Sequence, residues 1–343
     1  MSTFVIAEAG VNHNGDESLA IALVEAAAAS GADAVKFQTF SADRLTRRGA
    51  KKASYQEASS SGGDQYEMLK ALELPHDAHR RLFDRCAALN IEFMSTAFDD
   101  DSLDFLIELG IRRIKVPSGE ITNDQFLRHV ASKNLPLIVS TGMSTLDEVR
   151  QAVDVIAAER SQRSFNAPLN EVVTLLHCTS NYPAAAGDVN LLAMSTMQRE
   201  IRLPVGYSDH TLGLAVSTGA VALGAIIIEK HFTLDRTLNG PDHRASLEPN
   251  QLTELVRQIR DIEVALGSNV KTPAESELPV RDVARRSVTV IRNVAKGSAF
   301  AADDLELLRP GNGIAPVDLP KVIGRRAARD IGANETLQWP DLA

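Results

Sequence analysis

Short apolar runs rich in β-branched residues recur along most of the chain, and longer stretches between them repeat their apolar positions at helical spacing. The runs predict eight strands: FVIAEA from Phe4, AVKFQ from Ala34, IEFMST from Ile91, RIKVPS from Arg113, PLIVST from Pro136, VVTLLHC from Val172, LPVGYS from Leu203 and AIIIEKH from Ala225. Glu17 to Ser30, His76 to Asn90, Thr145 to Arg160 and Leu214 to Gly224 read as helices, the first two ending near Gly31 and Asn90 as helix stop signals should. Eight strand-helix units in a row, over roughly 250 residues, predict a (β/α)8 TIM barrel. The rival is an open doubly wound sheet. That fold usually carries a Gly-rich dinucleotide fingerprint after its first strand, and GVNHNGD is not that motif.

The pattern changes after the helix-like segment Gln251 to Gly267. SNVKTPAESELPVRD is polar, holds two prolines and has no period, so residues 268–284 read as a linker. From Arg285 short β-like pieces alternate with turn signals such as RPGNGI, which predicts a small separate domain over 285–343 after a catalytic barrel over 1–267. That tail carries nine Lys and Arg against seven Asp and Glu, and is mildly basic.

The whole chain of 343 residues has 44% hydrophobic and 24% charged residues, a globular composition that excludes fibrous and disordered classes. Its net charge of −9 argues against a grip on nucleic acid or on an anionic membrane, and points to a small-molecule partner. Cys86 and Cys178 are the only cysteines, so no disulfide framework or Cys-rich zinc site is expected, in keeping with a reducing cytosol. No export signal or membrane span is indicated, and the expected location is cytoplasmic.

In a barrel, chemistry gathers at the C-terminal ends of the strands, and the polar residues there are many. The first strand runs into Glu8 and the turn Asn12-His13-Asn14-Gly15. The second carries Lys36 and Gln38 on one face, the third ends in Ser95-Thr96, and the fourth carries Lys115 ahead of Ser118 and Glu120. Ser140 ends the fifth strand; His177, Cys178, Thr179 and Ser180 end the sixth, with Tyr182 behind; Ser208, Asp209 and His210 end the seventh. The eighth carries Glu229 and His231 on one face and Lys230 on the other. A lysine inside an apolar strand is costly unless it meets an anion. Lys36 and Lys115 therefore signal either a core salt bridge with Glu8 or Glu120, or an acidic substrate cradled with Thr96, Ser118, Ser140 and Ser208. His210 and His231 end adjacent strands and either converge on one metal ion or simply bond substrate; Asp209, Glu229 and Asp242 are the carboxylates near enough in sequence to assist. Cys178 reads as a buried inert thiol. The Asn-His-Asn-Gly turn reads equally as a ligand contact and as an ordinary turn. The lysines also admit a Schiff-base aldolase, although two lysines beside two histidines make an anion clamp the more economical account.

The stretches EAGVNHNGD, GADAVKFQTF, FMSTAFDDDSLDFL, KVPSGEITN, STGMSTLDEV, LLHCTSNYP, VGYSDHTLG, IIEKHFTLD and GPDHRAS, in this order, resemble the sialic acid synthase family of bacterial type, from residue 6 to about 267. The tail with RPGNGI resembles the antifreeze-like (SAF) domain that follows the barrel in that family. The resemblance implies condensation of phosphoenolpyruvate with an N-acetylated aldose and water, releasing phosphate and a nine-carbon 2-keto sugar acid. N-acetylmannosamine is the first expectation for the aldose, giving N-acetylneuraminate; 2,4-diacetamido-2,4,6-trideoxymannose, giving legionaminate, is the second. A non-catalytic sugar-binding barrel is the alternative from another class, but every matched position holds a competent residue. By the resemblance His210 and His231 hold a divalent metal, usually Mn2+ with Mg2+ or Co2+ as alternatives, and Lys36, Lys115, Thr96, Ser118, Ser140 and Ser208 hold phosphoenolpyruvate. Glu8, Gln38, Glu120, Tyr182 and Asp242 surround the aldose or the reacting centre, while Glu229 or Glu8 handles the proton of the attacking water. Arg309 resembles the arginine that the small domain inserts into the partner subunit's barrel to bind the N-acetyl group, which implies a domain-swapped homodimer. One departure stands out: the sequence reads YPAAAGD from Tyr182 where the family commonly has a second proline, in a loop that the resemblance places near the sugar.

Overall fold

Eight parallel strands close into a barrel in chain order: β1 (Phe4–Gly10), β2 (Ala34–Thr39), β3 (Glu92–Ala97), β4 (Ile114–Val116), β5 (Leu137–Ser140), β6 (Val173–Cys178), β7 (Val205–Asp209) and β8 (Ile227–His231). The computed structural model describes residues 2–53, 56–57 and 62–343. Strand β8 pairs with β1 to complete the ring, so no edge is left open.

Helices between the strands form where capping and apolar spacing agree. Asp16 caps Glu17–Ala29 by accepting from the backbone N–H of Ser18 and Leu19, and Ala20, Leu23, Val24 and Ala27 form its buried stripe. Each of Leu23 and Val24 contributes about 1.5–3 kcal/mol by leaving water. Thr145 and Glu148 form a capping box ahead of Leu146–Gln162. These helices cover the outward face of each strand, so both strand faces are buried and the sequence runs are nearly all apolar.

Alternation along the strands sorts the barrel interior into levels. Ile6, Ala34, Met94, Ile138, Leu176 and Ile227 make an apolar plug. Two residues further along these strands stand Glu8, Lys36, Thr96, Ser140, Cys178 and Glu229, all buried. The register sets them level: Glu8 lies opposite Lys36, Thr96 opposite Lys115, and Ser208 opposite both Cys178 and Glu229.

Contacts divide the chain into Met1–Gly267 and a second unit, Ser268–Ala343. The second unit holds the antiparallel pair β9 (Ser287–Val290) and β10 (Leu305–Leu308) around a core that includes Val288, Val290, Phe300, Ile314 and Leu337. Residues 268–284, expected as a linker without periodicity, carry the helix Leu278–Ala284. Its Val280 and Val283 are exposed, so no buried stripe marked it in the sequence. Among the described residues no helix is long and apolar enough to cross a membrane.

Candidate active site

The level above the plug is a ring of paired charges. Lys36 Nζ stands 2.6 Å from a Glu8 carboxylate oxygen and 3.7 Å from Glu229, and donates to Thr96 Oγ1 at 2.9 Å. Lys115 Nζ donates to Ser140 Oγ at 2.7 Å and lies 3.5 Å from the other oxygen of Glu229. Glu229 thus bridges the two ammonium groups, and Ser208 Oγ donates to it at 3.1 Å.

The charges of this ring are uneven. Burial pushes the Glu8 carboxyl up to about 7 against the pull of Lys36. Burial also works on Glu229, but Lys115 and Lys36 outweigh it and hold that carboxyl below its ordinary value. Burial lowers Lys115, while Lys36 is raised because Glu229 and Glu8 overcome its desolvation. Near neutral pH the ring therefore holds two cations, one firm anion and one carboxyl poised between its two states, a dry site with a deficit of negative charge. It can hold a small anion and move a proton.

Two imidazoles stand above the ring. Their centroids are 5.4 Å apart, and the Tyr182 ring lies 4.1 Å from His210 and 5.4 Å from His231. His210 Nδ1–H donates to the Thr179 carbonyl at 2.6 Å, which leaves a lone pair on Nε2, 3.5 Å from Ser208 Oγ, whose proton goes to Glu229. His231 Nδ1 is buried with no hydrogen-bond partner, 3.7 Å from Asp242. Burial keeps both rings neutral, the form that binds a metal, and pushes Asp242 up to about 6. The lone pair of His210 Nε2 and the unpartnered Nδ1 of His231 are donors of the kind a divalent cation takes, although among the described residues no three His, Cys, Asp or Glu come together as a metal group.

Glycine lets the strand ends close on the site. Gly10, at φ +52°, has Glu8, Gln38 and Asp242 side-chain atoms 3.2, 3.4 and 3.5 Å from where a side chain would begin. Gly142 has Ser180 Oγ, Ser118 Oγ and Cys178 Sγ at 2.3, 2.9 and 3.0 Å from that point. Its N–H donates to Ser118 Oγ at 3.0 Å, and Ser118 lies 3.2 Å from Cys178 Sγ. Gly142→Ala is therefore expected to displace these hydroxyls and raise KM for the anionic substrate roughly 10–100-fold, at a stability cost of about 1–3 kcal/mol. An unchanged KM would remove this corner from the site.

Asp209, considered as a carboxylate beside the histidines, points away from the barrel axis and pairs with Lys230 at 2.8 Å in the helix layer. Ser95 also faces outward, bonded to Thr39, which in turn contacts His79. His177 is satisfied by the Val189 carbonyl. Glu120, half-buried on the turn after β4, accepts from Asn123 Nδ2 at 2.7 Å. Arg309 is exposed at the end of β10 in the second unit. Cys178 is buried with its thiol pushed up by desolvation, as an inert thiol should be.

The turn after β1 is held structurally. Asn12 donates to the Phe232 carbonyl and to Ser246 Oγ, and Asn14 contacts His243. His13 Nδ1 accepts from Gly15 N–H, so its proton sits on Nε2. Burial pushes His13 and His243 each down to about 4. Their folded values lie below the unfolded 6.5, so the stability they give is full above about pH 6.5 and is lost as pH falls toward 4, at about 1.4 kcal/mol per unit of depression. Glu8 and Asp242, raised by burial, act in the opposite sense over this range, so the loss of melting temperature from pH 7 to 4.5 should be smaller in His13→Gln than in the parent; equal losses would contradict this.

A closed barrel with two buried lysines and two neutral imidazoles at its C-terminal mouth is a TIM-barrel site of the kind enzymes use, with charge suited to a small anion. The NeuB family profile matches residues 23–271 and the SAF domain profile residues 285–343. The chain is 54% identical to the N,N'-diacetyllegionaminic acid synthase of Legionella pneumophila, over all of this chain and 95% of the relative. It is 44% identical to the enzyme of the same name from Campylobacter jejuni, over 98% of this chain and 99% of the relative. The crystal structure of an N-acetylneuraminic acid synthetase from Leptospira borgpetersenii in complex with citrate superposes with a TM-score of 0.71 at 35% identity, covering 82% of this chain and 90% of that one. The chain belongs to the NeuB family.

Proposed function

We propose that the protein is a phosphoenolpyruvate-dependent nonulosonate synthase whose acceptor is 2,4-diacetamido-2,4,6-trideoxymannose and whose product is N,N'-diacetyllegionaminate. The observation that carries the reaction class is the ring in which Lys36 and Lys115 flank Glu229 beneath His210 and His231. The choice of acceptor rests on the names of the relatives at 54% and 44% identity, against 35% for the sialic acid enzyme, and reverses the order expected from sequence.

Lys36, Lys115 and the hydroxyls of Thr96, Ser118, Ser140 and Ser208 hold the phosphate and carboxylate of phosphoenolpyruvate over the plug. Gln38, Glu120, Ser180, Tyr182 and Asp242 line the space for the aldose. A divalent cation, Mn2+ by preference, held by His210 and His231 supplies Lewis acidity to the aldehyde when bound. Carbon 3 of phosphoenolpyruvate forms the new bond to the aldehyde carbon, carbon 2 becomes cationic, and water adds there. The aldehyde oxygen takes the electron pair of its C=O bond; Glu8, poised near neutral pH, takes one proton from the water and returns it to that oxygen, with Glu229 steadying the positive charge, and the tetrahedral carbon collapses to the ketone as phosphate leaves with the second proton. The protein works as a cytoplasmic homodimer, in which Arg309 of each copy contacts the N-acetyl group in the other's barrel. The two unpaired cysteines accord with a reducing compartment.

The test is phosphate release from phosphoenolpyruvate with each of the two aldoses, with and without Mn2+. Release with the diacetamido sugar is expected to exceed that with N-acetylmannosamine, and release with neither sugar overturns the proposal. A lowered Lys115 is the one feature shared with a Schiff-base lyase, so borohydride with pyruvate is the second arm, with no trapping expected. Arg309→Ala should raise KM for the aldose more than KM for phosphoenolpyruvate; equal effects would remove its N-acetyl role.

A further inference from the structure

The two strands that bring the imidazoles to the mouth each hide a charge on their opposite face. On β7 Ser208 and His210 face the barrel axis and Asp209, between them, faces the helices. On β8 Glu229 and His231 face the axis and Lys230 the helices. Asp209 and Lys230 are register partners, their charged groups are 2.8 Å apart, and both side chains are 0% exposed.

Both charges also grip the chain just beyond His210. One Asp209 oxygen accepts from the N–H and from the hydroxyl of Thr211, each at 2.8 Å. The other accepts from Ser217 Oγ at 2.6 Å, in the first turn of the helix Ala215–Ala222. Lys230 Nζ donates to the Thr211 carbonyl. The residue after His210 is thus held at its N–H, its carbonyl and its side chain by a pair that spans both histidine-bearing strands.

Stability alone does not call for this arrangement. The backbone ladder already joins β7 to β8, and a dry ion pair is commonly matched or bettered in stability by well-packed apolar residues. What apolar residues would lack is the directional hold on the peptide from which His210 leaves the strand. We propose that Asp209 and Lys230 are positioning residues that set the aim of His210 and His231 from behind the sheet. The inference rests on the assignment of those two histidines to the active site.

The test is the double variant Asp209→Leu with Lys230→Met, read three ways. Its melting temperature should fall, because the buried Thr211 and Ser217 groups lose their partners, but the variant should still unfold cooperatively above the assay temperature. Turnover with phosphoenolpyruvate and the aldose should fall roughly 10–100-fold, mainly in kcat, as for other residues that orient a ligand from behind. In protein labelled with 15N-histidine, the His210 N–H resonance bonded to the Thr179 carbonyl should shift or broaden, while that of His177, bonded to the Val189 carbonyl, stays in place. If turnover and the His210 resonance both match the parent, the pair is structural filling and the proposal fails. Should the double variant not fold, Thr211→Val and Ser217→Ala each remove one donor to Asp209. A several-fold loss in kcat with a moved His210 resonance then supports the proposal, and parental values of both overturn it. The resonance needs neither substrate nor metal, so it decides the positioning role even if the parent releases no phosphate with either sugar.

Discussion

Replacing Lys36 with methionine is expected to lower turnover by about 10²–10³-fold and to destabilise the protein by up to about 3–5 kcal/mol. The lysine is the partner of Glu8 and one of two cations facing Glu229, and all three groups are buried. Without it the ring loses half of its positive charge, and an incoming dianion meets Lys115 alone. Glu8 lies near 7 even with the ammonium beside it, so in the variant it rises further and stays protonated over more of the pH range. The sign follows from linkage: a carboxyl raised in the folded state holds protons that the unfolded chain releases, so stability drops as pH rises. The deficit of Lys36→Met against the parent should therefore be larger at pH 8.5 than at pH 6. Denaturant unfolding at the two pH values measures this, and a deficit independent of pH would mean that Glu8 does not depend on Lys36.

The second large effect is expected at His210. His210→Ala should abolish the stimulation of phosphate release by added divalent cation and cut kcat/KM by about 10²–10³-fold or more. His177→Ala is the matched control. That imidazole also bonds a carbonyl, but it faces away from the barrel axis, so its loss should cost about 1 kcal/mol of stability and leave turnover near that of the parent. Full metal-stimulated activity in His210→Ala would take the residue out of the site.

Most of the barrel was readable because parallel strands buried on both faces appear as short apolar runs, and a charge inside such a run is conspicuous. Lys36 and Lys115 stood out for that reason. Alternation also put Glu229 with His231 and Lys230 on the other side, and the same rule applied to β7 places Asp209 away from His210. Nearness in sequence favoured Asp209 as a helper; the period of two decides against it. The corner formed by Gly142, Ser118, Ser180 and Cys178 was less legible as a unit, since it joins residues following three different strands. Nor did any periodic signal announce the helix Leu278–Ala284, whose valines face solvent. The acceptor sugar was the least readable feature. Its contacts come from loops such as the one after Tyr182, where side-chain identity follows no repeating rule.

The apolar plug of Ile6, Ala34, Met94, Ile138, Leu176 and Ile227 gives the barrel a floor beneath the lysine level, so the interior is a tube closed below. Depth in such a tube translates into sequence in time. A molecule resting on the lysine level must enter before anything seated beside the imidazoles, and its remnant leaves only after the upper occupant has gone. Steady-state kinetics should therefore show compulsory order, with the small anion first on and last off, a rule of traffic imposed by six hydrocarbon side chains that never touch the reacting atoms.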